Sequence, residues 1–161
     1  IRDSSTFVVV GYNGTILTSS DDATSWTSRT SGTTKDLWEV TYGNNNFMTV
    51  GDNGTILSSS DNGSSWDNKT SGTTNPLWGV TYGNGIFVVV GHSGNIYTTS
   101  DRDSLTSGTS GITNSMWGIT FGGSTFVTAS YGGEILTSSD NGTSWTSRTS
   151  GTSNSLYGMK L

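Results

Sequence analysis

Few residues in this chain have the chemistry to act on a substrate or an ion, and the most regular of them are four aspartates. Asp21, Asp61, Asp101 and Asp140 follow one another at steps of 40, 40 and 39 residues, each two positions after a Ser or Thr. A carboxylate at the head of a tight turn accepts several backbone N–H bonds and so stabilises the turn that carries it. The Asp61-Asn62-Gly63 and Asp140-Asn141-Gly142 segments also invite a calcium reading. They lack the further spaced carboxylates and the bidentate Glu of an EF-hand loop, so no metal is expected. His92 is the single histidine, which rules out a three-histidine zinc site. A Ser-His-Asp relay would have to use His92 with Asp52, and no nucleophile elbow accompanies them. Cysteine is absent, so thiolate metal sites and disulfides are excluded.

The elements that must position these residues follow from a repeat. Matching phenylalanines stand at Phe7, Phe47, Phe87 and Phe126, and the chain divides into copies over 7–46, 47–86, 87–125 and 126–161. Within a copy, apolar residues alternate with period two, β-branched residues dominate and glycine interrupts every window long enough for a helix. Leu77–Tyr82 and Phe87–Val90 read as a hairpin through Gly83-Asn84-Gly85. A second turn, Gly91-His92-Ser93-Gly94, leads into Asn95–Ser100, and the Asp61-type turn precedes a short fourth strand. Four-stranded meanders repeated about every 40–50 residues mark a β-propeller, one sheet per blade. The expected fold is all-β: one domain, a propeller of four four-stranded antiparallel blades. Ser155–Leu161 repeats the inner-strand sequence of Pro76–Tyr82, whereas Ile1–Thr6 enters Phe7 without such a strand. The C-terminal segment is therefore expected to complete the first blade and close the ring.

Composition narrows the partners. Only 7 Lys+Arg against 12 Asp+Glu, a net charge of -5, leaves no basic stripe for a phosphate backbone, so nucleic acid is not an expected partner. No apolar run approaches the roughly 20 residues that span a bilayer, and no signal peptide is visible. The chain begins at Ile1 without methionine, which reads as a processed product or part of something longer. Hydrophobic residues are only 30%, yet six Trp, six Tyr and five Phe recur at fixed repeat positions, which low-complexity sequence does not do. Asn13, Asn53, Asn62, Asn68 and Asn141 stand in N-x-S/T sequons, most of them N-G turns that hairpin chemistry already explains.

At the third turn the chain resembles the BNR or Asp-box repeat family. Ser59-Ser60-Asp61-Asn62-Gly63-Ser64-Ser65-Trp66 and Ser138-Ser139-Asp140-Asn141-Gly142-Thr143-Ser144-Trp145 match in full. The first copy keeps Asp21 and Trp26 but has Ala23 for the family's glycine. In the third, one residue is missing after Asp101, and Leu105 stands near the tryptophan position. The resemblance implies that Asp21, Trp26, Asp61, Trp66, Asp101, Asp140 and Trp145 are structural and lie at the blade periphery, as in sialidases. It also implies a secreted or cell-surface location, since similar repeats occur in such bacterial proteins. Photosystem II assembly factors are built on related repeats, which makes an assembly scaffold the second functional class. A sialidase-like hydrolase is the third, and the arginines are too scattered for it, since Arg29 and Arg148 occupy one repeat position. Glu39 and Glu134 as a glycosidase pair would fall in opposite blades, against a required separation of about 5–9.5 Å.

Trp38, Trp78, Trp117 and Tyr157 share one inner-strand position, each before Glu39 or a glycine, and are expected to fill the spaces between blades. The copies differ most at the opposite end of the ring from the Asp-boxes. Tyr12, Asp52, His92 and Tyr131 stand at equivalent second turns, beside connectors carrying Asn75, Asn114 and Asn154. This rim suits sugar hydroxyls and apolar sugar faces. The expected function is a non-enzymatic extracellular module that binds carbohydrate or another ligand, serves adhesion, or is a unit of a larger surface assembly. It needs no cofactor; its expected partners are glycans or a cell-surface protein, and association of two copies into a larger ring is open.

Overall fold

The computed structural model describes residues 6–160. Ile1 and Leu161, both named above, lie outside them. The described strands form four antiparallel meanders in chain order. The first comprises β1 (Phe7–Val10), β2 (Ile16–Ser19) and β3 (Thr27–Arg29); the second β4 (Leu37–Gly43), β5 (Asn46–Gly51), β6 (Ile56–Ser59) and β7 (Asp67–Lys69). The third comprises β8 (Leu77–Gly83), β9 (Ile86–Gly91), β10 (Asn95–Thr99) and β11 (Thr106–Thr109). The fourth comprises β12 (Met116–Gly122), β13 (Thr125–Ser130), β14 (Ile135–Ser138) and β15 (Thr146–Arg148). The all-β repeat architecture read from the 40-residue period is the one observed.

Strand alternation assigns each face of a blade to one neighbour. On β5 and β9, Phe and the residue two later (Phe47 with Thr49, Phe87 with Val89) face the preceding blade, while Met48 with Val50 and Val88 with Val90 face the following one. Three apolar clusters result, one per interface. Ile16, Val8 and Val10 of the first blade meet Leu37, Leu57 and Trp66 of the second. Met48, Val50 and Ile56 meet Leu77, Val80, Phe87 and Tyr97 of the third. Val88, Val90 and Ile96 meet Met116, Ile119, Phe126 and Leu136 of the fourth. The core is thus divided among blade-to-blade contacts. Gly43 makes room for the next blade: a Cβ there would lie 2.0 Å from the Tyr82 ring, and one at Gly83 would lie 2.1 Å from the Phe121 ring.

The second turn is a single 3-10 turn, not a two-residue hairpin loop. In the first copy it spans Tyr12–Gly14, with Asn13 and Gly14 both at positive φ (54° and 69°), and Thr15 N–H donates to Tyr12 O. Asn tolerates this region and Gly enters it freely, which is why the Asn-Gly pair recurs here.

Residues 155–160 are not in a strand. Leu156 N–H donates to Ser130 O (3.2 Å), as Leu37 N–H donates to Gly11 O (3.1 Å) between the first two blades. The segment therefore sits against the fourth blade where a following inner strand would sit. In the described residues the first sheet has three strands, without an inner one. Phe7 and Val9 are 49% and 45% exposed, against 1% and 0% for Phe87 and Val89.

Candidate functional site

At one end of the blades the third turns close on themselves. Asp61 Oδ1 accepts from Ser59 Oγ (2.8 Å) and Ser65 N–H (2.9 Å), and Oδ2 accepts from Ser65 Oγ (2.6 Å). Asp21 and Asp140 accept from the same positions, Ser19 and Ser25, and Ser138 and Ser144. Bonds from the serine side chain and backbone hold all three carboxyls at about 2, well below the ordinary aspartate range. Asp101 is held lower still by Ser104 and Asp103, so the degenerate third copy keeps the device despite its missing residue. Trp66 and Trp145 donate their indole N–H to Gly63 O and Gly142 O, and their rings pack on the preceding blade. Leu105 packs against the same kind of cluster in the third copy. Trp26, with no blade before it among the described residues, is exposed. With their bonding capacity taken up locally, the Asp-box residues have a structural role.

The opposite end is built differently. Each complete inner strand is bulged at its tryptophan: Leu37 pairs with Gly51 and Glu39 with Val50, leaving Trp38 as the extra residue. Trp78 and Trp117 are set out in the same way. A bulge re-aims a side chain, and here it sets the rings out at the end of the blades that carries the second turns. The expected burial between blades does not hold: Trp38 is 42% and Tyr157 66% exposed, and Trp78 and Trp117 are only partly buried. The rings form an arc of two contacting groups along one groove, Tyr12 with Trp38 and Trp78 with Trp117 and Tyr157. Tyr12 meets Trp38 edge-on at 5.8 Å, Trp78 stacks on Trp117 at 4.2 Å, and Trp117 meets Tyr157 at 5.6 Å. Trp38, Asp52, Pro76, Trp78, Trp117 and Tyr157 line a groove of about 460 Å³.

Polar groups around the groove are few. Trp38 Nε1 donates to Asp52 Oδ1 (2.7 Å), while Oδ2 has no partner among the described residues. His92 lies edge-on to Trp78 at 5.8 Å, and its Nδ1 is 2.5 Å from Ser93 Oγ. His92 thus has no bond to Asp52, and the two form no relay. Tyr131 is exposed at the equivalent turn of the fourth blade, its N–H donating to Ser115 O. The connector asparagines serve the loops. Asn114 Nδ2 donates to Glu134 Oε2, while Asn75 and Asn154 use their backbone N–H groups on Thr73 Oγ1 and Thr152 Oγ1. Asn75 lines a separate, larger depression of about 930 Å³ with Thr33, Asn53 and Lys69; it is open and built from short polar side chains, which makes it ordinary wet surface. Of the residues expected at the rim, Tyr12, Asp52 and His92 join the aromatic arc, whereas Tyr131 and the asparagines make no contact with it in the described residues.

Glu39 reaches across to the neighbouring blade. Its Oε2 accepts from Val80 N–H (2.9 Å) on the neighbouring inner strand, and burial raises its carboxyl to about 7 against the opposing effect of that bond. Glu134 is engaged separately by Asn114 and by Ser130 Oγ. Arg29 and Arg148 bond to Thr18 and Thr137 on their own blades, Arg102 to Asn46, and Lys69 pairs with Asp103. Among the described residues no arginine cluster forms, and no group of three or more His, Cys, Asp or Glu could hold a metal ion.

No protein-family model and no curated protein sequence matches the chain. Solved structures do. YCF48 bound to D1 peptide superposes with a TM-score of 0.75 at 23% identity, covering 98% of this chain and 54% of that one. YCF48 from Cyanidioschyzon merolae gives 0.74 at 18% identity over 99% and 57%, and an ancestral GH74 enzyme 0.72 at 15% over 88% and 22%. The chain therefore spans about half the length of the YCF48 structures. These neighbours are β-propellers, and the likeness establishes a propeller scaffold.

Proposed function

We propose that the chain is a non-enzymatic propeller module, extracellular or on the cell surface, that holds an extended peptide segment of a partner protein along the aromatic arc. The observation that carries this reading is the set of rings at bulged positions, exposed where the repeat could have buried them. Large rings with few rotatable bonds are efficient binding anchors. An aromatic-lined groove with one free carboxylate oxygen, Asp52 Oδ2, fits apolar or proline side chains plus one N–H or basic group. The net charge of -5 favours neutral or basic segments over acidic ones. The YCF48 structure with a D1 peptide lends support by analogy, since it is a propeller that takes a peptide. The ring itself is completed when a segment with the sequence of 155–161 adds to β1.

Carbohydrate is the second reading, favoured by the exposed faces of Trp38 and Tyr157. It is the weaker one, because sugars need several planar polar partners and the groove offers one carboxylate, half engaged. Screening the protein against peptide and glycan arrays separates the two. Binding to proline-containing or basic-apolar peptides, weakened tenfold or more by Trp38→Ala, is the expected result. Glycan-only binding would replace this reading with the second.

A further inference from the structure

We propose that the aromatic groove takes a quaternary ammonium group, the trimethylated lysine side chain of a bound peptide, between Trp38 and Trp78 and against Asp52. The proposal rests on the peptide reading of the same groove and names the basic group that reading calls for. The residues that define the place come from two adjacent blades in the middle of the chain: Trp38 on β4, Asp52 at the turn after β5, Pro76 just before β8 and Trp78 on β8. Among the described residues the two groups of rings do not touch. Trp38 meets Tyr12, whereas Trp78 meets Trp117 and His92. Trp117 stacks on Trp78 with the planes 16° apart, which closes one face of Trp78 and leaves the other. The groove of about 460 Å³ thus runs past two indole rings that have no ring of this chain between them.

The chemistry of the walls selects a cation. The face of an aromatic ring is electron-rich, most of all in indole, and attracts a cation that has shed its water. Asp52 adds a full carboxylate: Trp38 Nε1 fixes Oδ1 at 2.7 Å, and Oδ2 has no partner among the described residues. No Lys or Arg lines the groove, and the chain has a net charge of -5. The same walls choose among cations. A primary ammonium brings three N–H donors and a guanidinium five, and each one left unpaired on leaving water is a cost. The side-chain acceptors of the lining are Asp52 and the Tyr157 hydroxyl alone, and Pro76 O already takes His92 N–H. A trimethylammonium group has no N–H to satisfy, and its methyl groups pack on rings. Phosphocholine carries the same head, but its phosphate would bring negative charge beside Asp52 with no lining Lys or Arg to receive it, which favours the lysine side chain.

Choline, its neutral carbon isostere dimethylbutanol and the primary amine ethanolamine separate charge from shape. Each is titrated into the whole chain while the indole N–H resonances are followed by NMR. Choline is expected to shift the Trp38 and Trp78 signals with saturation, about fivefold more tightly than either control. Asp52→Asn, which keeps an acceptor for Trp38 Nε1, is expected to weaken choline by about fivefold with the circular dichroism unchanged. Equal binding of dimethylbutanol, equal binding of ethanolamine, or no saturable shift with choline would each overturn the proposal. The source is read with the peptide Ala-Pro-Lys-Pro-Ala, its lysine unmodified or trimethylated, and with phosphocholine. The trimethylated form is expected to bind about tenfold more tightly than the unmodified one and more tightly than phosphocholine. Equal affinity of the two peptide forms would overturn this proposal and leave the peptide reading standing. Choline or phosphocholine binding by a protein that takes neither peptide would overturn both.

Discussion

The two ends of the blades use the same residue type in opposite ways. At the Asp-box end Trp66 and Trp145 donate their indole N–H to a carbonyl of their own turn and pack on the preceding blade. At the other end Trp38, Trp78 and Trp117 are set out of register by bulges and gather into a groove. Where every polar atom has a local partner and the copies agree, the residues hold the fold. Where large rings remain exposed and the copies differ, the fold holds them for something else.

Substitutions at the two ends sharpen that contrast, and the largest effect belongs to close approach at the Asp-box end. Gly83→Val places a side chain where the Phe121 ring already lies, and a loss of about 3 kcal/mol in urea unfolding is expected. A smaller but more telling difference separates two tryptophans. Trp66→Ala opens a gap against the cluster of Ile16, Leu37 and Leu57 and is expected to cost about 2–3 kcal/mol, whereas Trp38→Ala, exposed and bulged, costs less than about 1 kcal/mol. Equal costs would erase the distinction.

Next in size is a pH effect between the ends. Glu39 has a folded value near 7, above its ordinary 4.5. Its protonated form is fully accommodated below about 4.5, and stability is lost as pH rises through about 7. Glu39→Gln, which keeps an acceptor for Val80 N–H, is expected to remove that dependence and to raise stability at pH 8 by about 1–3 kcal/mol. Unfolding curves from pH 4 to 8 check it, and a wild-type profile flat over that range would contradict the buried carboxyl. The smallest effect is at the Asp-boxes. The depressed Asp61 carboxyl contributes stability that is present above 3.8 and lost as pH falls through about 2. Because it is exposed and screened, Asp61→Ala is expected to cost only about 1 kcal/mol at neutral pH.

Architecture was legible in the sequence because the repeat states it four times. The spacing of Phe7, Phe47, Phe87 and Phe126 fixes the sheet period, and the copies correct one another, so even the shortened turn at Asp101 could be placed. The aromatic site was half legible. Tyr12, Asp52 and His92 could be assigned to a common end because turn positions follow from alternation. Trp38, Trp78 and Trp117 were assigned to the wrong surroundings because a bulge is one extra residue in a strand, and period-two reasoning has no term for it. The signal was nonetheless present: a tryptophan followed by glycine within a strand marks a kink or a close backbone approach. The partner of Glu39 was not legible for a related reason, since its carboxylate crosses to Val80 on a different blade, and sequence spacing does not encode that contact.

The contrast between the ends is tested most directly by the side-chain N–H resonances of the tryptophans, recorded in a two-dimensional NMR spectrum while the tightest-binding peptide from the array is added. The account predicts that the Trp38, Trp78 and Trp117 signals shift together with saturation while Trp66 and Trp145 stay fixed. Shifts confined to Trp66 and Trp145 would place recognition at the Asp-box end and contradict it.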